Sequence, residues 1–471
     1  MDAKQIPFLS ATELSTLIAD KEVSPVEATQ AYLDRINEVD AKLNSYITIC
    51  GEEALSQAKQ AEQEISAGHY LGPMHGIPVA VKDQFNTKGI RTTNGSIIHQ
   101  DFIPDEDATV IANLKRSGAV LLGKLNMSEY ASGDAFRHPY GRPRNPWDLS
   151  RNPGTSSSGS GAATAACLCS TSLGEDTGGS IRGPASSCGL VGIRPSWGRV
   201  SRYGVFGASW SMDTVGPISR TTADCAMTLG AIAGYDAKDP YTWDAPVPDY
   251  LAALDGNIRG LRIGVVQERV DAEAMEPDVR DAVVRAIAVL GELGATIQEV
   301  AIPLMPHSAV ISSAVISADA ASLNRQDIAE HLAEFDHNNQ VRLLMGSILP
   351  AQAQQKASKL RQVLRQQILD ALEGVDVLVM PTSSIQAPLI PERAGINSKQ
   401  EVLDGYKGRR TYTSPFNLAN TPALSINCGF TSDNLPVGLQ IAGKPFDETR
   451  LFQVAHAYEQ ATDWHTRRPP V

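Results

Sequence analysis

Short apolar runs that alternate with helical stretches and glycine-rich turns constrain the fold of this chain more than any other feature. Between residues 72 and 220 these runs are Ile77–Val81, Ala119–Leu122 and Thr171–Leu173. The pattern resumes later in the chain with Leu261–Val266, Thr296–Ile302, Val377–Met380, Pro422–Cys428 and Pro436–Ala442. Such alternation is typical of a largely parallel sheet that helices cover on both faces, so we expect an α/β fold.

No internal repeat and no long linker divides the sequence. The 471 residues are therefore expected to form one large domain, residues 1–471, with its core in residues 72–220. A stretch rich in Ser and Gly, residues 155–189, has the composition of a linker, but it contains the helix-forming segment Ala162–Leu168. Residues 303–372 are mostly helix-forming, and we expect them to lie near the functional site, because segments outside a sheet carry specificity.

The charge balance limits the partners of the chain. Lys and Arg number 41 and Asp and Glu number 53, which gives a formal net charge of −12. Neutralising phosphates needs a basic face, so this balance argues against a nucleic-acid partner. No apolar run approaches the roughly 20 residues of a membrane-spanning helix, and the first residues lack a signal-peptide pattern. We therefore expect a cytoplasmic protein with no membrane partner.

The six cysteines lie mostly among apolar or small residues. Buried free thiols are the favoured interpretation, and disulfides in a secreted protein are the alternative. Cys167 and Cys169 have neither the spacing nor the partner pair of a zinc site. The nine histidines form no closely spaced pair of the HxH or HxxxH type. The sequence predicts neither a metal nor a cofactor.

Three segments carry residues suited to catalysis. The first is a strand-like run, residues 76–81, followed directly by Lys82. Burial at the end of such a strand favours the neutral amine, which can act as a general base. The second is a loop rich in Ser and Gly, residues 154–161. The third places two glycines before Ser180, so that successive backbone N–H groups can converge as in an oxyanion hole. Taken singly, these segments are more often a surface lysine, a loop and a capped turn.

Taken together and in this order, the three segments resemble the amidase signature family of serine hydrolases. The resemblance covers nearly the whole chain and is densest from Gly72 to about Pro217. It resumes in the segments FNLA, residues 416–419, and LPVGLQ, residues 435–440. It implies a large mixed β-sheet enclosed by α-helices, and cleavage of a C–N bond.

The family mechanism uses a Ser–cis-Ser–Lys triad, and the matching motifs assign its members here. Ser180 in DTGGSIR matches the nucleophile, Ser156 matches the bridging serine, and Lys82 matches the lysine. The resemblance implies that a neutral Lys82 takes the proton of Ser156, which takes the proton of Ser180 during its attack on a carbonyl carbon. It also implies a cis peptide bond just before Ser156.

The same match assigns residues around the triad. The oxyanion hole is expected from the backbone amides of Thr177, Gly178, Gly179 and Ser180. Ser157 matches a serine that hydrogen-bonds around the lysine. Asp176 and Arg182 match positions that brace the nucleophile loop, and for these two a structural role is at least as consistent as a chemical one.

Within the family, the chain is similar to the glutaminase subunit of tRNA-dependent amidotransferases, which works with partner subunits. Such a pocket needs an acidic group for the substrate ammonium and an arginine for its carboxylate. Arg361 matches the arginine, but no acidic residue lies nearer to the matching stretch, residues 408–412, than Asp404, and Arg410 would repel an ammonium. We therefore favour a stand-alone hydrolase of an amide, carbamate or urea-type small molecule. The alternatives are a glutaminase subunit or a non-catalytic assembly subunit.

The layout of the family suggests further substrate-binding residues. These are Met127, Tyr130, Phe136, Trp210, Arg361 and Arg410. Methionine and aromatic side chains more often belong to a core, and Arg410 equally fits a solvated loop beside Arg409. The resemblance leaves a homodimer open.

Overall fold

An eleven-stranded sheet organises the fold of this computed structural model, which describes residues 2–133, 135–405 and 410–471, with the backbone alone for residues 404, 405 and 410. The strands are β1 (Tyr46–Ile49), β2 (Pro78–Lys82), β3 (Val120–Leu125), β4 (Thr171–Glu175), β5 (Val191–Arg194), β6 (Val215–Ser219), β7 (Arg262–Val266), β8 (Thr296–Val300), β9 (Val377–Pro381), β10 (Ala423–Phe430) and β11 (Pro436–Ala442). Their order across the sheet is β1-β3-β2-β4-β6-β5-β10-β11-β9-β7-β8.

Strand directions are mixed, which confirms the fold class that the resemblance implied. β2 pairs in parallel with β3 and β4, and β7 pairs in parallel with β8 and β9. The strands between these two groups pair antiparallel. The largely parallel sheet expected from the alternation is therefore wrong for the centre. There β10 and β11 follow each other through a short turn, and no helix separates β5 from β6, so the chain reverses direction.

Helices cover the sheet. They are α1 (Ala11–Ala19), α2 (Pro25–Leu43), α3 (Gly51–Ser66), α4 (Thr109–Arg116), α5 (Ser158–Ala165), α6 (Arg182–Cys188), α7 (Thr222–Ile232), α8 (Gln267–Val270), α9 (Pro277–Glu292), α10 (Ser308–Leu323), α11 (Arg325–His331), α12 (His337–Ser347), α13 (Ala351–Gly374), α14 (Lys399–Gly405), α15 (Arg410–Ala419) and α16 (Glu448–Gln460). Local sequence sets their ends; at α1, for example, Ser10 and Glu13 form a reciprocal capping box.

The strands that carry the site are buried along their whole length. Every residue of β2, β3 and β4 is buried, because helices pack on both faces of the sheet. Helices α10, α13 and α15 pack together, and their apolar side chains form a second core with residues of β9. One sheet shared by the whole sequence supports the proposal of a single domain, with residues 72–220 as its catalytic core and residues 303–372 as its helical elaboration.

All six cysteines are buried and free. None of the described helices combines the length and the apolar character needed to cross a bilayer.

Candidate active site

The parallel strands β2 and β4 end side by side, and this register builds the floor of the site. Val81 of β2 pairs with Leu173 of β4. The last residues of the two strands, Lys82 and Glu175, therefore meet at the same edge of the sheet. Lys82 Nζ lies 3.7 Å from Glu175 Oε2, and both side chains are buried.

Lys82 contacts the serine that the sequence paired with it. Its side chain is 0% exposed, and its Nζ lies 2.9 Å from Ser156 Oγ. Burial lowers the pKa of Lys82, and the carboxyl groups of Glu175, Asp176 and Asp213 oppose this effect. A lysine in this setting is suited to accept a proton from a hydroxyl group.

The loop that carries Ser156 packs closely against the segment after Ser180, the predicted nucleophile. The peptide bond between Thr155 and Ser156 is cis. Gly154 has a φ of +95°, and a Cβ atom there would lie 2.6 Å from the Cα of Pro184. Only glycine therefore allows this approach of the two loops.

Ser180 lies in the turn between β4 and α6 and opens onto a cavity. The residue is 8% exposed, whereas Ser156 is fully buried. Ser180 and Thr155, the neighbour of Ser156, both line the same cavity. The structure thus places Lys82 and Ser156 in contact behind a cavity wall to which Ser180 belongs.

Asp176 holds in place residues 176–181, the turn between β4 and α6 that contains Ser180; we call it the nucleophile turn after the predicted role of this serine. Its carboxylate accepts hydrogen bonds from the amide of Gly179 at 2.7 Å and the amide of Ile181 at 3.2 Å. The guanidinium of Arg182 donates to both carboxylate oxygens, at 3.1 and 3.0 Å. Burial alone would raise the pKa of Asp176, but Arg182 and Arg194 hold it well below its usual range.

Arg182 connects the nucleophile turn to the end of the chain. Besides Asp176, the buried guanidinium donates to Gln440 Oε1 of β11 and to Asn417 Oδ1 of α15, both at 2.6 Å. It also donates to the carbonyl of Thr413 at 2.9 Å. The FNLA and LPVGLQ segments therefore contribute to the site by fixing the arginine that braces Asp176.

The residues assigned to the oxyanion hole divide into two groups. The amide of Gly179 already donates to Asp176, and its φ is +117°. A Cβ at Gly179 would lie 2.3 Å from Thr413 Oγ1, so this glycine serves the shape of the turn. Thr177 and Gly178 line the cavity next to Ser180, and the amides of these three residues remain the candidate oxyanion donors.

Ser157 supports the end of β4. Its Oγ lies 3.4 Å from both the backbone nitrogen and the backbone oxygen of Glu175. The prediction placed its hydrogen bond around the lysine; the structure places it on the strand residue that faces the lysine.

Three predicted substrate-binding residues lie at or near the cavity. Tyr130 lines it, and its hydroxyl donates to Asp327 Oδ2 at 2.8 Å. Met127 packs with Ala131 and Ala208, two residues of the cavity wall. Phe136 lines a neighbouring cavity that shares Gly133 and Thr155 with the first.

Arg361 and Trp210 lie apart from these lining residues. The guanidinium of Arg361 donates to the carbonyl of Leu418 at 2.9 Å and to the hydroxyl of Ser211 at 2.8 Å, so it ties α13 to its neighbours. Trp210 is 49% exposed, and its ring lies 5.5 Å from that of Tyr241. The side chain of Arg410 lies outside the described residues, as do residues 406–409.

Sequence reasoning missed a buried acidic pair beside the lysine. Thr177 Oγ1 lies 2.7 Å from Glu175 Oε1 and 2.7 Å from Asp213 Oδ1. The position of Glu175 at the end of a predicted strand, directly before Asp176, was an available signal. Asp213 reaches the site through the antiparallel pairing of β4 with β6, which nothing in its local sequence indicates.

It also missed the polar groups that α12 brings to the cavity. Asn339 and Arg342 line it opposite residues of α10 such as Ser312 and Ile316. Their only signal was the helix-forming character of residues 303–372. Among the residues that the structure describes, no group of three or more His, Cys, Asp or Glu side chains is placed to hold a metal ion.

Comparisons with known proteins agree with this fold. The model of the Amidase family matches residues 27–452. Over 488 residues the chain is 42% identical to a Glutamyl-tRNA(Gln) amidotransferase subunit from Geobacter sp. (strain M21), covering 98% of this chain and 99% of that protein. Among solved structures, the native peptide amidase from Stenotrophomonas maltophilia superposes with a TM-score of 0.85 at 32% identity, covering 98% of each chain. A 6-aminohexanoate cyclic dimer hydrolase superposes with a TM-score of 0.89 at 26% identity, covering 100% of this chain and 99% of that one.

The fold and these matches define an enzyme that cleaves amide-type C–N bonds. The chain belongs to the amidase signature family, as its sequence motifs indicated.

Proposed function

We propose that this amidohydrolase acts on an amide, carbamate or urea-type small molecule through a triad of Lys82, Ser156 and Ser180. The observation that carries the proposal is the 2.9 Å contact between Lys82 Nζ and Ser156 Oγ, fully buried behind the cavity that Ser180 lines. A buried amine bonded to a hydroxyl has no structural need for a nearby cavity, whereas a proton relay to a nucleophile does.

In the first half of the reaction, Ser180 Oγ forms a bond to the substrate carbonyl carbon. Its proton passes to Ser156 Oγ, whose own proton passes to Lys82 Nζ. The oxygen that becomes negative is stabilised by the amides of Thr177, Gly178 and Ser180, and losing one such donor typically costs about 3–4 kcal/mol of transition-state stabilisation. The C–N bond then breaks, and the leaving nitrogen receives the proton from Lys82 through Ser156.

In the second half, water cleaves the acyl-enzyme. A water molecule gives one proton to the relay and its oxygen to the acyl carbon, and the bond between that carbon and Ser180 Oγ breaks. Ser180 regains its proton from Ser156, and Lys82 is neutral again. Asp176 and Arg182 act throughout by fixing the turn, since their polar atoms bond to one another and to backbone amides.

The cavity supports a small substrate with both polar and apolar parts. Ser312, Asn339 and Arg342 provide polar groups, and Ile316 and Leu343 provide apolar surface. Among the described residues that line this cavity, none carries a carboxylate. Hydroxyl and amide oxygens among these residues can accept hydrogen bonds from a substrate ammonium, but no described carboxylate balances its charge, so a neutral acyl group suits this cavity better.

The second candidate is the glutaminase subunit of an amidotransferase. The 42% identity to a Geobacter Glutamyl-tRNA(Gln) amidotransferase subunit, over nearly the full length of both chains, favours it. Glutamine carries an ammonium, which the described cavity lining does not match with an acid. A homodimer and a cytoplasmic location stay predictions.

A substrate panel separates the two candidates. The purified chain is assayed alone for release of ammonia or amine from glutamine, aliphatic amides, anilides, carbamates and ureas, with Ser180→Ala as the matched control. We expect turnover of at least one class other than glutamine, and none by Ser180→Ala. Activity on glutamine that appears only after partner subunits are added would instead establish the second candidate.

A further inference from the structure

A single threonine hydroxyl bridges two buried carboxyl groups next to the lysine. Thr177 Oγ1 lies 2.7 Å from Glu175 Oε1 and 2.7 Å from Asp213 Oδ1. A hydroxyl carries one proton, so it donates to only one of two acceptors. The other contact is a hydrogen bond only if that carboxyl group is itself protonated and donates to the threonine oxygen.

The other contacts of the two acids show which one holds the proton. Both oxygens of Asp213 accept backbone amides: Ser209 donates to Oδ1 and Ala208 to Oδ2, each at 2.9 Å. These amides favour the ionised form of Asp213. Within the part of the chain that the structure describes, no group forms a hydrogen bond with Glu175 Oε2, although the atom is buried. Lys82 Nζ lies 3.7 Å from this oxygen.

Charged groups from several elements act on this pair. Lys82 of β2, Asp176 of the nucleophile turn and Asp213 before β6 face Glu175. Arg194 of β5 also lies within electrostatic reach of Glu175, and Arg202 acts on Asp213. Burial raises the pKa of Glu175, the negative charge of Asp213 raises it further, and Lys82 opposes both. Burial raises the pKa of Asp213 as well, while Thr177 and the amide of Ala208 lower it.

We infer that Glu175 is a positioning residue that stays protonated in the resting enzyme, donates to Thr177, and so presents Lys82 with a neutral carboxyl group. The chain of hydrogen bonds runs from Glu175 through the Thr177 hydroxyl to the Asp213 carboxylate. A neutral neighbour leaves Lys82 free of an ion pair that would hold its proton. The same chain fixes Thr177, one of the candidate oxyanion donors.

The inference rests on the proposed role of Lys82 as the base, and Glu175→Gln tests it. Glutamine keeps the shape and a donor for Thr177 but cannot ionise. If Glu175 is neutral, the pH of half-maximal kcat/KM moves by less than about half a unit, and Glu175→Gln keeps most of the activity. If Glu175 is an ionised partner of Lys82, the substitution removes a negative charge close to the amine. The pH of half-maximal kcat/KM, which marks the rising limb of the pH profile, then moves about 1–3 units toward acid. That shift would overturn the inference.

Glu175→Leu separates charge from hydrogen bonding. It is also neutral but has no donor, so Thr177 loses its support and kcat falls roughly 10- to 100-fold, while the position of the limb is unchanged. Equal activity of the glutamine and leucine variants would contradict the hydrogen-bond chain.

Infrared spectroscopy reads the proton without any assay of activity. At neutral pH the difference spectrum between wild type and Glu175→Gln should contain the C=O band of a protonated carboxylic acid, shifted in D₂O. Such a band should also appear when both are prepared on the Ser180→Ala background. A difference spectrum that shows only loss of carboxylate bands would overturn the inference whether or not the triad is correct. If the acid band is present while Ser180→Ala stays active, the proposed function fails and the proton assignment stands.

Discussion

Two buried lysines at the ends of neighbouring strands have opposite surroundings. In the parallel pair of β2 and β3, Lys82 pairs with Leu125, and Lys124 pairs with Val81. Neither lysine side chain is exposed. Lys124 Nζ donates to Thr92 Oγ1 at 2.6 Å and to a backbone carbonyl at 2.7 Å, and it lies 3.3 Å from Asp83 Oδ1.

Lys82 has fewer and weaker partners for a positive charge. Its short contact is the Ser156 hydroxyl, and the Glu175 carboxyl lies at 3.7 Å. Burial lowers the pKa of both lysines, and Asp83 opposes this at Lys124. Burial therefore does not by itself distinguish a catalytic base from a structural lysine. We propose that Lys124, which bonds a hydroxyl and a carbonyl beside a carboxylate, is structural. We propose that Lys82, whose short contact is a hydroxyl one residue from the cavity wall, is the base.

The largest effect is expected from Lys82→Met. Removing a general base typically lowers kcat/KM roughly 10²- to 10⁴-fold. Methionine fills a similar volume without a charge to desolvate, so the melting temperature should not fall. Amide hydrolysis and thermal unfolding of the same preparation check both statements. Activity within tenfold of wild type would show that Lys82 is not the base.

The corresponding change at the other lysine, Lys124→Met, should affect stability instead. It leaves the buried Asp83 without its cation, and breaking such a pair typically costs about 3–5 kcal/mol of unfolding free energy. Urea unfolding measures this loss. The folded fraction should keep its kcat.

The double variant Lys124→Met with Asp83→Asn is the control for that prediction. It removes both charges, so most of the lost stability should return. Asp83 Oδ2 also accepts the amide of Thr93 at 2.8 Å, and an asparagine oxygen can keep this bond. If Lys124→Met alone were as stable as wild type, the structural role of Lys124 would be contradicted.

A smaller effect is expected in how the activity of the two lysine variants depends on pH. Because burial lowers the pKa of Lys82, its neutral form appears below the ordinary lysine value of about 10.4. Activity that needs the neutral amine therefore rises with pH, and its half-maximum lies below that value. The limb should stay in place in Lys124→Met and be absent from the residual activity of Lys82→Met. If the rising limb of the pH profile shifted or vanished in Lys124→Met, the titrating group would be Lys124 and not Lys82.

The sequence predicted the strands because they depend on local pattern. It also predicted the contact between Lys82 and Ser156, whereas the catalytic roles of the triad stay a prediction. Each predicted strand overlaps an observed one, and Pro436–Ala442 has the observed bounds. Strands β1, β5 and β6 were not predicted; β6 contains Gly216 and Pro217, which disfavour strands. Lys82, Ser156 and Ser180 lie within motifs that the family resemblance identified.

What the sequence did not predict depends on register and on side-chain direction. The pairing of Lys124 with Asp83, and the approach of Glu175 to Lys82, follow from how β2 aligns with β3 and β4. Arg361 on α13 donates to Leu418 and Ser211, contacts that its sequence did not indicate, and its role in substrate binding stays a prediction. A linear sequence does not state which face of a helix reaches a cavity formed by distant segments.

The rate at which a sulfonyl fluoride reacts with Ser180 tests the central claim most directly. Phenylmethylsulfonyl fluoride is reacted with wild type, Lys82→Met and Lys124→Met across a pH series, and peptide mass mapping locates the adduct. The account predicts an adduct on Ser180 whose rate of formation rises with pH in wild type and in Lys124→Met, and is slow and independent of pH in Lys82→Met. An adduct on another residue, or an unchanged rate in Lys82→Met, would contradict it.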